Sequence, residues 1–366
     1  MPPFFEKVLS YFKSIPNLDK MGFLSSFFKT KDEDFTDAEF VDIDIVRSGE
    51  TVAPVLRNLR TGAVAISDDV FTGKQVRPPV YMLERTVNIF DLMKRQPGEN
   101  QFKEIGDWVA RLVAVIRRAF ELMYGMIKRS IELQASQVLQ TGTVTLTDEK
   151  GNVLDINLDF KPKATHFPSV TTSWGKTGAT PLKDLEALCD AIRDDGLVDA
   201  TTAIFGRKAW ANFIEDANVK KLLDLRRADL AAINPRLANK GAKYMGYIEI
   251  GAYRLDLFTY NASYETFESN AKKKFVEDDN VIVLPDTEDL DFRLVYGGVP
   301  DFEADEPFNQ IIPPTTTVDG AIRFHNRVYK DTKLRAYTGE VTSRPICIPV
   351  SIDRFGCLKT KAASDA

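Results

Sequence analysis

From Asn100 to Gln140 an apolar residue returns every three or four positions, which puts Ile105, Trp108, Leu112, Ile116, Phe120, Met123, Ile127, Ile131 and Val138 on one helical face. Lys103, Asp107, Arg111, Arg117, Arg118, Glu121, Lys128 and Glu132 fall largely off that face. At a rise of about 1.5 Å per residue, about 40 residues make a helix about 60 Å long. That is several times the average. A helix of this length outruns the core of one small domain, so the pattern predicts a spine against which several elements pack. Proline is absent from the run; Gly125 leaves open a pair of ordinary helices meeting there.

Past the spine the apolar pattern changes to alternation. Val144 and Leu146 form one arm of an expected hairpin, Asp148 to Gly151 its turn, and Leu154, Ile156, Leu158 and Phe160 the other arm. Lys161 to Pro181 carries three prolines and reads as a connection, so a domain boundary is placed there. Beyond it, Pro181 to Arg193 reads as a helix entered through proline, Thr201 to Phe205 as a buried strand and Arg207 to Ala217 as a second helix. Lys220 to Asp301 gives a charged helix and then strands punctuated by Gly251, Pro285 and Gly297-Gly298. Strands near Ala321 to Tyr329, Lys333 to Thr338 and Ile346 to Ile352 are expected to return to the spine. The fold class is α+β.

The front of the chain lacks a core of its own. Phe4, Phe5, Val8, Leu9, Phe12 and Ile15 recur at helical spacing and need a cover: the protein's own body, a neighbouring subunit or scaffold, or a membrane surface. Few basic residues lie nearby, which disfavours the membrane. Pro54 to Arg85 reads as two extended segments around a polar tip, Ser67-Asp68-Asp69 through Thr72-Gly73-Lys74, with Pro78-Pro79 on the return. An isolated hairpin of this kind is marginal, so it is expected to lie on another surface.

Catalytic chemistry is hard to find. Gly175-Lys176-Thr177 ends like a phosphate-binding loop, but Val170 stands where the motif needs its first glycine and Pro168 has no amide hydrogen. His166 and His325 are the two histidines, neither with a second His at i+4, and no G-x-S-x-G elbow occurs. Cys189, Cys347 and Cys357 form no C-x-x-C and read as buried thiols in a reducing compartment. The acidic pairs Asp42/Asp44, Asp68/Asp69 and Asp278/Asp279 lack calcium-loop spacing. Lys272 to Lys274, Arg226-Arg227 and Arg117-Arg118 are basic clusters, but a formal net charge of -5 argues against a dedicated nucleic-acid binder. Phe23 to Phe28 is too short and too far in for a secretory signal. No apolar run approaches the roughly 18 residues that span a bilayer.

Leu223-Asp224-Leu225-Arg226-Arg227, then Tyr244 to Gly246, Gly251 and Tyr260, then Val281 to Leu284 and Tyr296-Gly297, with the opening segment Phe23 to Leu56, resemble the major capsid proteins of lambda-like tailed phages. The resemblance implies the fold first seen in phage Hong Kong 97: an N-terminal arm (1–55), an extended loop and its flanks (56–95), a peripheral domain with spine helix and hairpin (96–180), an axial domain (181–285), and return strands with a C-terminal tail (286–366). It implies a structural subunit without a reaction or cofactor, assembled in the host cytoplasm and carried in the virion. Its partners would be copies of itself in pentamers and hexamers, a scaffold, a portal and a decoration protein, around double-stranded DNA that it does not bind specifically. Phe4, Phe12, Asp68, Asp69, Phe71, Lys74, Arg117, Arg118, Arg226 and Arg227 are the expected contact residues. Two other readings stand beside it: a bacterial nanocompartment shell subunit of the same fold, and a cytosolic hydrolase using an acidic pair such as Asp278 and Asp279.

Overall fold

The computed structural model describes residues 22–36, 40–47, 70–88, 108–147, 153–160, 162–222, 237–239, 241–266, 269–299, 315–316, 322–331 and 336–365. Phe4, Phe12, Asp68, Asp69, Arg226, Arg227 and the side chains of Phe71, Lys74 and Trp108 lie outside that description. The spine is one helix, α1 (Trp108–Thr141), 34 residues long. It runs unbroken through Gly125, so the two-helix alternative fails. A glycine inside a helix costs only about 1 kcal/mol, and packing along the whole length outweighs that. Leu112, Ile116, Phe120, Met123, Ile127, Ile131 and Val138 are buried as the spacing predicts.

Ahead of the spine lie β1 (Phe35–Thr36), β2 (Val41–Arg47), β3 (Val70–Val76) and β4 (Tyr81–Asn88). β2 and β3 pair antiparallel, with Val41 opposite Val76 and Arg47 opposite Val70. This corrects the expected tip. Thr72, Gly73 and Lys74 are interior to β3 and face Ile45, Asp44 and Ile43, so the first arm of the hairpin lies before Pro54. Behind the spine, β5 (Thr143–Thr147) and β6 (Val153–Asp159) form the expected hairpin.

Next come α2 (Pro181–Gly196), β7 (Ala200–Phe205) and α3 (Arg207–Glu215), close to their expected bounds. β8 (Leu237–Asn239), β9 (Ala242–Ile250) and β10 (Tyr253–Tyr260) succeed them, then the small ribbon β11 (Ser263–Glu265) with β12 (Lys272–Lys274). β13 (Asn280–Pro285), β14 (Phe292–Gly297), β15 (Thr315–Thr316), β16 (Ile322–Asp331), β17 (Ala336–Ser343), β18 (Pro345–Pro349) and β19 (Gly356–Lys359) complete the chain.

Six strands form the largest sheet, in the order β19-β13-β7-β10-β9-β8. Its alternation sorts the core into two halves. Ala203, Phe205, Leu255, Leu257, Val281 and Val283 pack with Leu185, Leu188 and Ile192 of α2 and Phe213 of α3. Ile204, Tyr260, Ile282 and Leu284, on the other face, join the spine residues. A central strand covered on both faces must be apolar throughout; Val281, Ile282, Val283 and Leu284 are each fully buried. β19 closes one edge of this sheet by pairing with β13, a strand absent from the sequence reading.

The second sheet, β15-β16-β17-β4, packs β17 and β4 on α1, and β1-β14-β18 makes a third. Gly339 in β17 is required by close approach, because a Cβ there would stand 2.7 Å from the Phe120 ring.

In its C-terminal third the spine is enclosed on every side, although Glu132 was expected to lie off the apolar face. Glu132 is 3% exposed, and Gln134, Ser136 and Gln140 are also buried. Burial of such groups is tolerable only when they are hydrogen-bonded, and all four bond to parts of the chain outside the helix. Gln134 donates to the Tyr81 hydroxyl at 2.8 Å and accepts from Cys347 N at 3.2 Å. Ser136 donates to Phe275 O. Gln140 donates to that carbonyl at 2.8 Å and accepts from Glu277 N and Asn280 Nδ2, each at 2.9 Å. Glu132 accepts from Leu24 N at 2.8 Å and Ser25 N at 2.9 Å.

Candidate assembly surface

The hairpin β2–β3 is joined to no other sheet among the described residues. Its root is fixed from below. Val41 and Val76 are buried where the two arms meet the body. Arg344, itself 6% exposed, donates to Gly298 O at 2.6 Å and to Pro78 O at 3.5 Å just past β3. Both backbone edges of this two-stranded ribbon lack a strand partner among the described residues. Phe71 and Lys74 stand within it, opposite Val46 and Ile43.

Exposed apolar side chains occur on the segments next to that root. Phe40, Val80 and Met82 are 48%, 56% and 60% exposed; they flank the start of β2 and the entry to β4. Single exposed apolar residues need no explanation; three on the segments that flank a ribbon with no further sheet partner among the described residues single out this side of the subunit. No sequence period marks these three residues. The fourth exposed large apolar residue, Leu122, lies one helical turn after exposed Arg118, so the two share an outer face of α1. Arg117 pairs with Glu121 at 2.9 Å on the same helix, an exposed pair of little worth to stability.

The segment after the front stripe docks on its own subunit. Phe23 lies 5.4 Å from the Tyr260 ring and Phe28 stacks 5.0 Å from Phe292.

Among the described side chains, several of those with catalytic potential have structural partners, whereas Asp68, Asp69 and the side chains of Asp42 and Asp44 lie outside the description. Asp278 pairs with Lys274 at 3.1 Å while Asp279 lies 3.9 Å from Lys208. Lys176 of the Gly-Lys-Thr fragment is bound by Asp365 at 2.6 Å. His166 is fully buried, its Nδ1 2.9 Å from Phe355 O and its Nε2 3.1 Å from Asp195 Oδ2. Cys189, Cys347 and Cys357 are free and buried. Burial pushes the Cys189 and Cys357 thiols up to about 12, which leaves them unreactive. No group of three or more metal-ligating side chains occurs among the described residues.

A sequence profile described as phage major capsid protein E matches residues 5–354. The chain belongs to that family. It is a subunit of a virion shell, a structural protein that assembles with copies of itself. Its fold, the Hong Kong 97 type that the resemblance implied, is shared with a solved structure described as a prophage capsid protein of E. coli CFT073. The identity there is 16%, the TM-score 0.64, and the alignment covers 97% of this chain and 98% of the other.

Lower likenesses are a phage-related protein from Bordetella bronchiseptica RB50 and an encapsulin from Synechococcus elongatus PCC 7942. The first has 12% identity and a TM-score of 0.48, covering 99% of this chain and 98% of that one. The second has 11% and 0.45, covering 95% and 91%. Neither is close enough to define the fold. No curated protein sequence matches this capsid chain. Among the described residues no helix is long and apolar enough to cross a membrane.

Proposed function

We propose that this subunit forms pentamers and hexamers that close into an icosahedral shell around double-stranded DNA, and that the hairpin β2–β3 with the loop it carries links each copy to the next. The observation that supports this most is the ribbon itself, which lacks a sheet partner among the described residues of its own subunit and has exposed Phe40, Val80 and Met82 at its root. Residues 181–285 form the axial part of each ring, and 96–180 with the return strands of 286–366 form the peripheral part. The N-terminal arm, through Phe4 and Phe12, and Asp68, Asp69, Phe71, Lys74, Arg117, Arg118, Arg226 and Arg227 contribute contacts to neighbours.

The physics of such a shell is head-to-tail contact that closes by rotation. Individual contacts need not be strong, because each copy makes several and effective concentration rises once the first has formed. The subunit performs no catalysis in this account. Scaffold, portal and decoration proteins are its partners, and assembly takes place in the host cytoplasm.

Sedimentation velocity of the purified protein over a wide concentration range tests the proposal. Ring-sized or larger species that grow with concentration are expected; a single monomer boundary at every concentration, alone and with co-expressed neighbouring genes, contradicts it.

A further inference from the structure

A groove of about 930 Å³ opens between α1, β4 and the ribbon β11–β12. Half-buried apolar side chains line it, Tyr81, Leu83, Met126, Leu133 and Tyr264 among them, below the exposed Lys272 and Lys273. With Arg129, its lining holds three cations against one carboxylate, Glu265. Its chemistry therefore suits a chain segment that is acidic and aromatic together.

This chain carries one. Five stretches of more than ten residues lie outside the structural description: 1–21, 48–69, 89–107, 223–236 and 300–314. The last alone has acidic residues and neither Lys nor Arg: Asp301, Glu303, Asp305 and Glu306, with Phe302 and Phe308 between and after them. Pro300 and Pro307 bracket it, which lowers the entropy that docking would cost. The chain resumes at β15, three strands across the sheet from β4, the strand that lines the groove. The apolar N-terminal stretch 1–21 fits less well, because its lysines outnumber its carboxylates and would face Lys272 and Lys273.

We propose that the groove receives segment 301–308 of a neighbouring subunit, with Phe302 and Phe308 on the apolar lining and the carboxylates against Lys272, Lys273 and Arg129. The inference rests on the shell reading. It makes the contact directional: one copy supplies the acidic segment, the next the groove.

Carbodiimide cross-linking of assemblies made from mixed light and nitrogen-15 protein, read by mass spectrometry, tests it on the unmodified chain. Lys272 lies 3.8 Å from Glu265 in its own ribbon, and that pair serves as the internal control. Mixed-isotope links from Lys272 or Lys273 to the 301–306 carboxylates are expected. Links confined to one isotope, or their absence when the control pair forms, overturn it. As a second measurement, Lys272→Glu with Lys273→Glu should lower the assembled fraction about tenfold, and Asp301→Lys with Glu303→Lys should restore it. Unchanged assembly in the first variant removes this inference alone, whereas a wild type that never assembles removes the shell reading beneath it.

Discussion

The Tyr260 hydroxyl donates a 2.8 Å hydrogen bond to Glu132 Oε1 and so joins the six-stranded sheet to the spine helix. The same carboxylate receives the amides of Leu24 and Ser25, so three distant parts of the chain meet on one side chain. Burial, and then the adjacent carboxylate, raise the Tyr260 hydroxyl far above the usual phenol range and keep it a donor. Gly22 carries no side chain here for a reason: a Cβ would overlap the Glu132 carboxylate.

Glu132→Ala strands three buried donors, each costing about 1–3 kcal/mol when unpaired. A loss of about 3 kcal/mol or more is expected in urea unfolding of the subunit. Glu132→Gln keeps one acceptor oxygen and should cost less, while Gly22→Ala should weaken the protein by pushing the carboxylate away. A Glu132→Ala stability close to wild type would mean the three-way junction is dispensable.

The Phe120 ring and Gly339 define one steric contact between α1 and β17. Phe120→Ala should lose about 3–5 kcal/mol, and Gly339→Ala about 1–3 kcal/mol by overpacking. The double variant should be more stable than the sum of the two losses predicts, since the smaller side chain makes room for the new methyl. Strict additivity in a double-mutant cycle would contradict the contact.

Lys163, bonded at 2.6 Å, and then His166 hold the Asp195 carboxyl below its ordinary value of 3.8. A folded-state value below the unfolded one stabilises the protein above the unfolded value and loses that contribution as pH falls through the folded one. The unfolding midpoint should therefore drop as pH is lowered from about 5 to about 3, and Asp195→Asn should flatten that limb. The carboxylate is 30% exposed, so added salt should weaken the effect. An identical acid limb in Asp195→Asn would assign it to other groups.

Arg47 and Val70 are directly paired, so the chain between them can be replaced by a two-residue Asn-Gly turn without disturbing the hairpin. Replacing residues 48–69 in this way should leave the melting temperature within a few degrees of wild type and abolish assembly. Normal particles from that variant would remove the loop from the linking role.

Long periodic elements were legible in the sequence, because burial on one face leaves a mark at every turn. α1, the β5–β6 hairpin and the apolar run of β13 were all foreseen on that ground. Gly125 misled as a break because propensity is weak against packing. Thr72-Gly73-Lys74 misled as a turn because the partner strand begins with Val41, and the sequence distance between the two hides the pairing. β19 has four residues and finds its partner far upstream, so local pattern carries no trace of it. Glu132 was expected off the apolar face; only the three-dimensional enclosure of the helix shows it, with Gln134, Ser136 and Gln140, as a buried staple. Of the candidate contact residues, Arg117 and Arg118 fall within the described structure, and Phe71 and Lys74 do so in their backbone alone. Phe40, Val80 and Met82 were missed because single apolar residues beside a turn carry no period.

The most direct test of the account is negative-stain electron microscopy of the purified protein, alone and co-expressed with its neighbouring genes. The account predicts capsomer rings or closed, uniform shells. Particles absent under every condition, with a folded monomer in their place, would contradict it.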